Sequence, residues 1–277
     1  MKQLLPSLQS FTSNEKSRTF FYFLRLEKLA DGNILKRKFE GFGGKCLHWW
    51  ECEYTFIGDG DEYWTHAAVF KFSSAEALTV AQKSGLSSNE VLDLQLFSAD
   101  VSMPSKIVTL AFKMLRPIGW FYNKSNPKGT VDDIANTFQG EGGIVPRKDQ
   151  IQRHLANQRA SKAFMINLLQ PYKKAQYGES EENSTISGGT AYFKKYSVTA
   201  MRSVLMMGGN LEFSAKLGAP LLEGNSPKAT QGSWAGVAVM QYPNPSKLLA
   251  LEHMPGYKSV LKHRRAGLER TALIVAK

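Results

Sequence analysis

Hydrophobic and polar positions change period several times along the chain, and the changes mark its elements. Thr19 to Leu26 (TFFYFLRL) is aromatic and apolar almost without a break, the pattern of a buried strand. Asp31-Gly32 reads as a turn, Ile34 to Phe42 as a short helix stopped by Gly43-Gly44, and Cys46 to Ile57 as an extended aromatic run. Gly58-Asp59-Gly60-Asp61 has hairpin composition and leads to a strand over Tyr63 to Phe72. Ser73 to Glu76 supplies an N-cap and an acidic first turn for a helix to Lys83, and Leu92 to Phe97 closes the set.

The order strand, helix, strand, strand, helix, strand then recurs. Lys162 to Gln170 is a strand. Thr190 to Met207 is a long helix with Tyr192, Tyr196, Met201 and Val204 in its pattern, and Leu211 to Leu222 is extended. Trp234 to Tyr242 is an uncharged β-rich run broken by Pro243-Asn244-Pro245, because proline lacks a ladder donor. Helical spacing follows in Leu248, Leu249 and Leu251, is interrupted at Gly256, resumes at Tyr257, Val260 and Leu261, and ends at Gly267; Thr271 to Ala276 is the last strand. The halves align without a gap at an offset of 170, pairing Trp64 with Trp234, Ala68 with Ala238, Val69 with Val239, Phe72 with Tyr242 and Leu78 with Leu248. Shared order and register predict a tandem duplication. The organisation is an extension over 1–18, a degenerate first copy over 19–104, a connector over 105–159 and a second copy over 160–277.

The second copy also carries a resemblance. Its apolar strand ending in Tyr242-Pro243, the Leu-rich helix, Tyr257, the segment His263, Arg264, Ala266 and Leu268, and the first strand Phe164 to Leu169 resemble an uncharacterised branch of the dimeric α/β-barrel superfamily. The resemblance is good over 160–277 and faint over 19–100. It implies an α+β fold: two ferredoxin-like βαββαβ units whose sheets pair face to face, within one chain as a monomer or between chains as a homodimer. The space between the sheets is then the natural pocket. The superfamily includes oxygenases, haem enzymes and isomerases, so the resemblance implies no single activity.

The connector is too long for an ordinary loop. Lys106 to Pro117 sets Ile107, Leu110, Ala111, Met114 and Leu115 at helical spacing among Lys106, Lys113 and Arg116. Such a basic amphipathic helix either packs its stripe on the protein's own core, which is the preferred reading, or lies on an acidic membrane surface. Thr130 to Asp133 reads as a further N-cap with an acidic first turn, and Gly140 to Gly143 as a corner that lacks the Lys-Ser/Thr of a phosphate loop. The whole connector is a pocket wall or lid, or a spacer.

Composition narrows the classes. A formal net charge of +11 favours anionic partners, but no nucleic-acid-binding motif accompanies it, so no specific nucleic acid is expected. Cys46 and Cys52, six apart on one extended run, fall on one face beyond bonding reach and read as reduced thiols, which suggests the cytoplasm. The N-terminus lacks a signal-peptide pattern and no run reaches the length of a spanning helix.

No metal signature stands out; His48 and His66, on neighbouring strands, can meet across a sheet but have no carboxylate motif beside them. The cluster of interest is His253, Tyr257, His263, Arg264 and Arg265. Helical spacing puts His253 and Tyr257 on one face. Tyr257, His263 and Arg264 are the candidate catalytic residues, His263 as a general base and Arg264 or Arg265 binding an oxyanion; the preferred reading is that His and Arg cap a helix C-terminus. Asn167, in an otherwise apolar strand, Tyr192, Tyr196, His253 and Trp234 are the candidate substrate-binding residues. Together they suit a hydrophobic or aromatic small molecule, and the resemblance implies that it is handled without a cofactor by an oxygenase, isomerase or lyase reaction of the dimeric α/β-barrel type. A non-catalytic carrier, and a haem protein with a histidine ligand, are the alternatives.

Overall fold

The computed structural model of the protein describes residues 18–28, 31–74, 77–79, 90–122, 130–138, 144–157, 159–178 and 185–277. The fold is α+β, with a large antiparallel sheet and several helices. In chain order the strands are β1 (Arg18–Leu26), β2 (Gly44–Ile57), β3 (His66–Phe72), β4 (Val91–Val101), β5 (Ala163–Pro171), β6 (Asn210–Lys216), the short β7 (Leu222–Glu223), β8 (Gly236–Tyr242) and β9 (Leu268–Ala276). The helices are α1 (Gly32–Gly41), α2 (Lys106–Met114), α3 (Arg116–Tyr122), α4 (Val131–Phe138) and α5 (Lys148–Ala156). They continue with a π-helical stretch (Thr190–Tyr196) that runs into α6 (Ser197–Met206), a 3-10 segment (Pro245–His253) and α7 (Tyr257–Gly267).

The strand order is β1-β3-β2-β9-β5-β8-β6-β4-β7, and β1 also pairs with β4. That extra pairing closes a ring of eight strands within one chain, with β7 as an appendage on β4. β1 is flanked by β3 and β4, and β5 by β8 and β9, so the halves contribute the same order. Two seams join them: β2 to β9, and β4 to β6 through Asp100↔Lys216 and Val101↔Ala215.

Strand alternation sends every second side chain into the ring. The interior is packed, not hollow. Phe21, Phe23, Trp50, Trp64, Phe97, Phe213 and Trp234 fill it with small aliphatic residues between them. Phe23 and Trp64 stack at 5.4 Å, and Phe21 of the first half faces Phe213 of the second at 6.3 Å. The expected pocket between the sheets is therefore occupied by aromatic side chains. Trp64 and Trp234, the matched pair of the alignment, both bond Thr230: one indole donates to its hydroxyl at 3.2 Å, the other to its carbonyl at 2.9 Å.

Several local expectations change. Asp31 is a helix N-cap instead of a turn, because its carboxylate accepts from the Asn33 amide at 2.8 Å. Ser74 caps as expected, accepting from Ala77 N at 3.1 Å, while 80–89 and the Gly140 to Gly143 corner lie outside the described residues. Thr130 and Asp133 form a reciprocal cap, the Thr130 hydroxyl accepting from Asp133 N and the carboxylate from Thr130 N. Cys46 packs with the outer layer and Cys52 with the inner one, since a bulge between Cys46 and His48 shifts the alternation by one residue. Burial pushes the Cys46 thiol up to about 11 and raises that of Cys52, so neither suits a nucleophile. His48 pairs with Val69 and His66 with Glu51, so the two histidines do not meet. Among the described residues no group of three or more metal-binding side chains occurs, and no helix is long and apolar enough to cross a membrane.

Candidate functional site

The outer face of the second half is where space remains. A cavity of about 870 Å³ lies between that face and the helices over it. Its floor comes from Asn167 and Leu169 of β5, Ser214 of β6, Ala238 and Met240 of β8, and Leu273 of β9. Its roof is built by the π-helix, α6, α7 and the 3-10 segment, and α2 supplies one wall through Val108 and Phe112. The connector is thus part of the cavity wall. Val108, Phe193 and Val198 line the cavity yet remain exposed, so the mouth opens between α2 and the π-helix.

Polar groups gather at one part of this apolar space. Tyr192 and Tyr196 lie four apart on the π-helix, whose i→i+5 bonding is seen in Ser197 N donating to Tyr192 O, and their rings are 5.2 Å apart. The Tyr196 and Tyr257 hydroxyls are hydrogen-bonded at 2.8 Å. Burial, then the neighbouring tyrosines, raises the Tyr192, Tyr242 and Tyr257 phenols above their ordinary range, so near neutral pH they are protonated and can donate. The Arg264 guanidinium lines the cavity and donates to Ile144 O at 2.7 Å; Arg265 and Glu252 line it too. The Asn167 amide nitrogen donates to Met165 O at 2.9 Å and Ala238 O at 3.3 Å, leaving its oxygen as the acceptor a ligand can use.

Of the residues singled out in the sequence, Asn167, Tyr192, Tyr196, Tyr257 and Arg264 converge on this cavity. Arg265 lines it as well, whereas His253, His263 and Trp234 do not. Trp234 is fully buried inside the ring, with the Arg270 guanidinium 4.0 Å above its ring. His263 is hydrogen-bonded to the Tyr177 hydroxyl at 2.6 Å, away from the lining. His253 ends the 3-10 segment beside Glu252. It does not share a helix with Tyr257, because Gly256, at φ +75, separates the two segments. None of the five histidines lines the cavity, so a haem with a histidine ligand does not fit there.

Sequence reasoning passed over Ser214, Phe112, Tyr242 and Glu252 as lining residues, and assigned His154 nothing. His154 is fully buried; Nε2 donates to Pro245 O at 2.9 Å and Nδ1 accepts from the Tyr54 hydroxyl at 2.9 Å. It ties α5 to β2 and to the 3-10 segment, and burial lowers its pKa to about 4.

No protein-family model matches the chain, and no curated protein matches it. Among solved structures the chain is similar to a protein of unknown function from Rhodopseudomonas palustris, a structural-genomics target. The identity is 24%, over 49% of this chain and 95% of that one, with a TM-score of 0.40. The methylated form of that protein matches at 24% identity, over 49% and 94% of the two chains, with a TM-score of 0.38.

Proposed function

We propose that the protein binds a small molecule with an apolar body and an oxygen-bearing, preferably anionic, head, on a scaffold of two tandem ferredoxin-like units closed into an α/β barrel within one chain. The scaffold reading is supported by the shared strand order of the halves and by the reciprocal seams between them. The binding reading rests on one observation: a mostly apolar cavity of about 870 Å³ in which tyrosine hydroxyls and two arginines supply donors, beside Asn167, Ser214 and Glu252. The apolar walls take the body of the ligand. The Tyr196–Tyr257 pair, Tyr192 and Arg264 take its head by hydrogen bonds and charge.

The same donors suit an oxyanion, but the histidine proposed as general base does not line the cavity. Binding and carriage are therefore favoured over His-dependent catalysis. Parinaric acid, a fatty acid with a fluorescent polyene body and a carboxylate head, tests this. It is expected to bind saturably, one molecule per chain, with its emission enhanced. Ala238→Phe, which fills the floor, is expected to abolish that signal while far-UV circular dichroism is kept. Arg264→Leu is expected to weaken binding about tenfold by removing a charged hydrogen bond. An absence of saturable binding, or full binding by Ala238→Phe, overturns the reading.

A further inference from the structure

The α2–α3 segment presents its apolar stripe outward. Ile107 is 80% exposed, Leu110 62%, Met114 74% and Trp120 61%, and Ile118 continues the line. The preferred reading, in which this stripe packs on the core, holds for Leu115 and is reversed for Ile107, Leu110, Ala111 and Met114. Residues one position along, Val108 and Phe112, turn inward to the cavity. The segment is anchored in that orientation. Arg116 donates through Nε to Leu205 O at 3.2 Å and through Nη2 to Gly209 O at 3.3 Å, at the C-terminus of α6. Gly119 is buried against Met206, where a Cβ would collide with the Met206 carbonyl. The stripe is thus held out by its contacts on the other side.

Charge distinguishes the partner. α2, α3, the π-helix and α6 contain no carboxylate, and carry Lys106, Lys113, Arg116, Lys194, Lys195 and Arg202. From 102 to 131 the sequence has no Asp or Glu. Exposed apolar side chains with a tryptophan, rimmed by lysines and free of carboxylates, complement a negatively charged lipid surface, where apolar groups enter the interface and cations meet the headgroups. The cavity mouth, framed by Val108, Phe193 and Val198, adjoins this face. We propose that the α2–α3 face docks on an anionic bilayer and sets the mouth of the cavity beside it. Docking stands on the exposed face alone; its link to ligand uptake rests on the binding reading above.

Co-sedimentation of the full chain with phosphatidylcholine vesicles, with and without phosphatidylserine, tests the docking. At low salt the protein is expected to pellet with the phosphatidylserine vesicles only, with blue-shifted Trp120 emission, and to be released as salt screens the charges. Leu110→Glu/Met114→Glu is expected to lose at least about tenfold in vesicle affinity, since two apolar anchors become anions. The same variant is expected to bind parinaric acid as before, because neither residue lines the cavity. Lys106→Glu/Lys113→Glu is expected to lose the preference for phosphatidylserine, which keeps the test open if the first variant misfolds. Absence of wild-type binding at low salt, or undiminished binding by both variants, overturns the proposal. So does a concentration-dependent dimer in sedimentation velocity that Leu110→Glu/Met114→Glu dissociates, since it assigns the face to a second copy. Failure of parinaric acid binding with vesicle docking intact rejects the cavity reading and leaves the surface standing.

Discussion

The two halves each place four main strands in the same order, yet one outer face is packed and the other is hollow. In the first half Tyr22 on β1 stands opposite Ala68 on β3, which stands opposite Trp49 on β2. In the second half Asn167 stands opposite Ala238, which stands opposite Ser214. The alanines correspond at the offset of 170, so the ladders equate Tyr22 with Asn167, Trp49 with Ser214, and Phe70 with Met240. Three large aromatic groups on one face are an amide, a hydroxymethyl and a flexible thioether on the other. The aromatic set packs under α1, with Phe39 and Phe70 at 5.1 Å, Tyr22 and Phe70 at 5.8 Å and Trp49 and Phe70 at 6.2 Å. Removing that bulk while keeping the strand frame leaves room between floor and roof. The cavity thus goes with shorter side chains on a shared strand order, with no change of topology.

The largest expected effect is on stability at a matched pair. Phe70→Ala is expected to cost about 3–5 kcal/mol, because it opens a void in a filled layer. Met240→Ala, at the corresponding site, is expected to cost about half that or less, since its side chain already borders open space. Urea denaturation of the two variants measures the difference; equal costs would contradict the contrast between the faces.

The second effect concerns the tie that holds the connector beneath the second face. An unfolded His154 takes up its proton near the ordinary value of 6.5, the folded one only near 4. Its contribution is therefore fully present above pH 6.5 and is lost as pH falls towards 4. The loss amounts to roughly 3 kcal/mol. Denaturation midpoints measured across this window are expected to fall with pH, and His154→Gln is expected to flatten that slope.

The third prediction refills the hollow face. Ser214→Trp restores the bulk that Trp49 supplies in the first half, and is expected to lower parinaric acid affinity about a hundredfold with the fold retained. The reciprocal change, Trp49→Ser, is expected to create no such binding. The smallest effect belongs to the surface. Arg147 pairs with Asp59 at 3.2 Å and Asp149 at 3.1 Å, with both partners largely in water, so Arg147→Ala is expected to change stability by less than about 1 kcal/mol. Thermal denaturation reads it.

The sequence alone determined the α+β class and the position of most strands, because those depend on local period and on residues near in the chain. The strands expected over Thr19 to Leu26 and Lys162 to Gln170 correspond to β1 and β5, and the break at Gly256 lies where expected. It also brought forward Asn167 as an amide in an apolar strand, Tyr192, Tyr196 and Tyr257 as aromatic groups at helical spacing, and Arg264 in a basic run near a helix end. Only the tertiary structure decided what these residues face. Which side of a strand is inside depends on bulges such as that after Cys46, and one such shift exchanges the faces. Whether a face is filled depends on side chains brought opposite each other by cross-strand pairing, as Ser214 is to Ala238, and no local pattern encodes that sum of volumes. The outward stripe of α2 follows the same logic. Helical spacing established an apolar side, but the anchoring of Arg116 and Gly119 on the end of α6, distant in sequence, turned that side to the solvent.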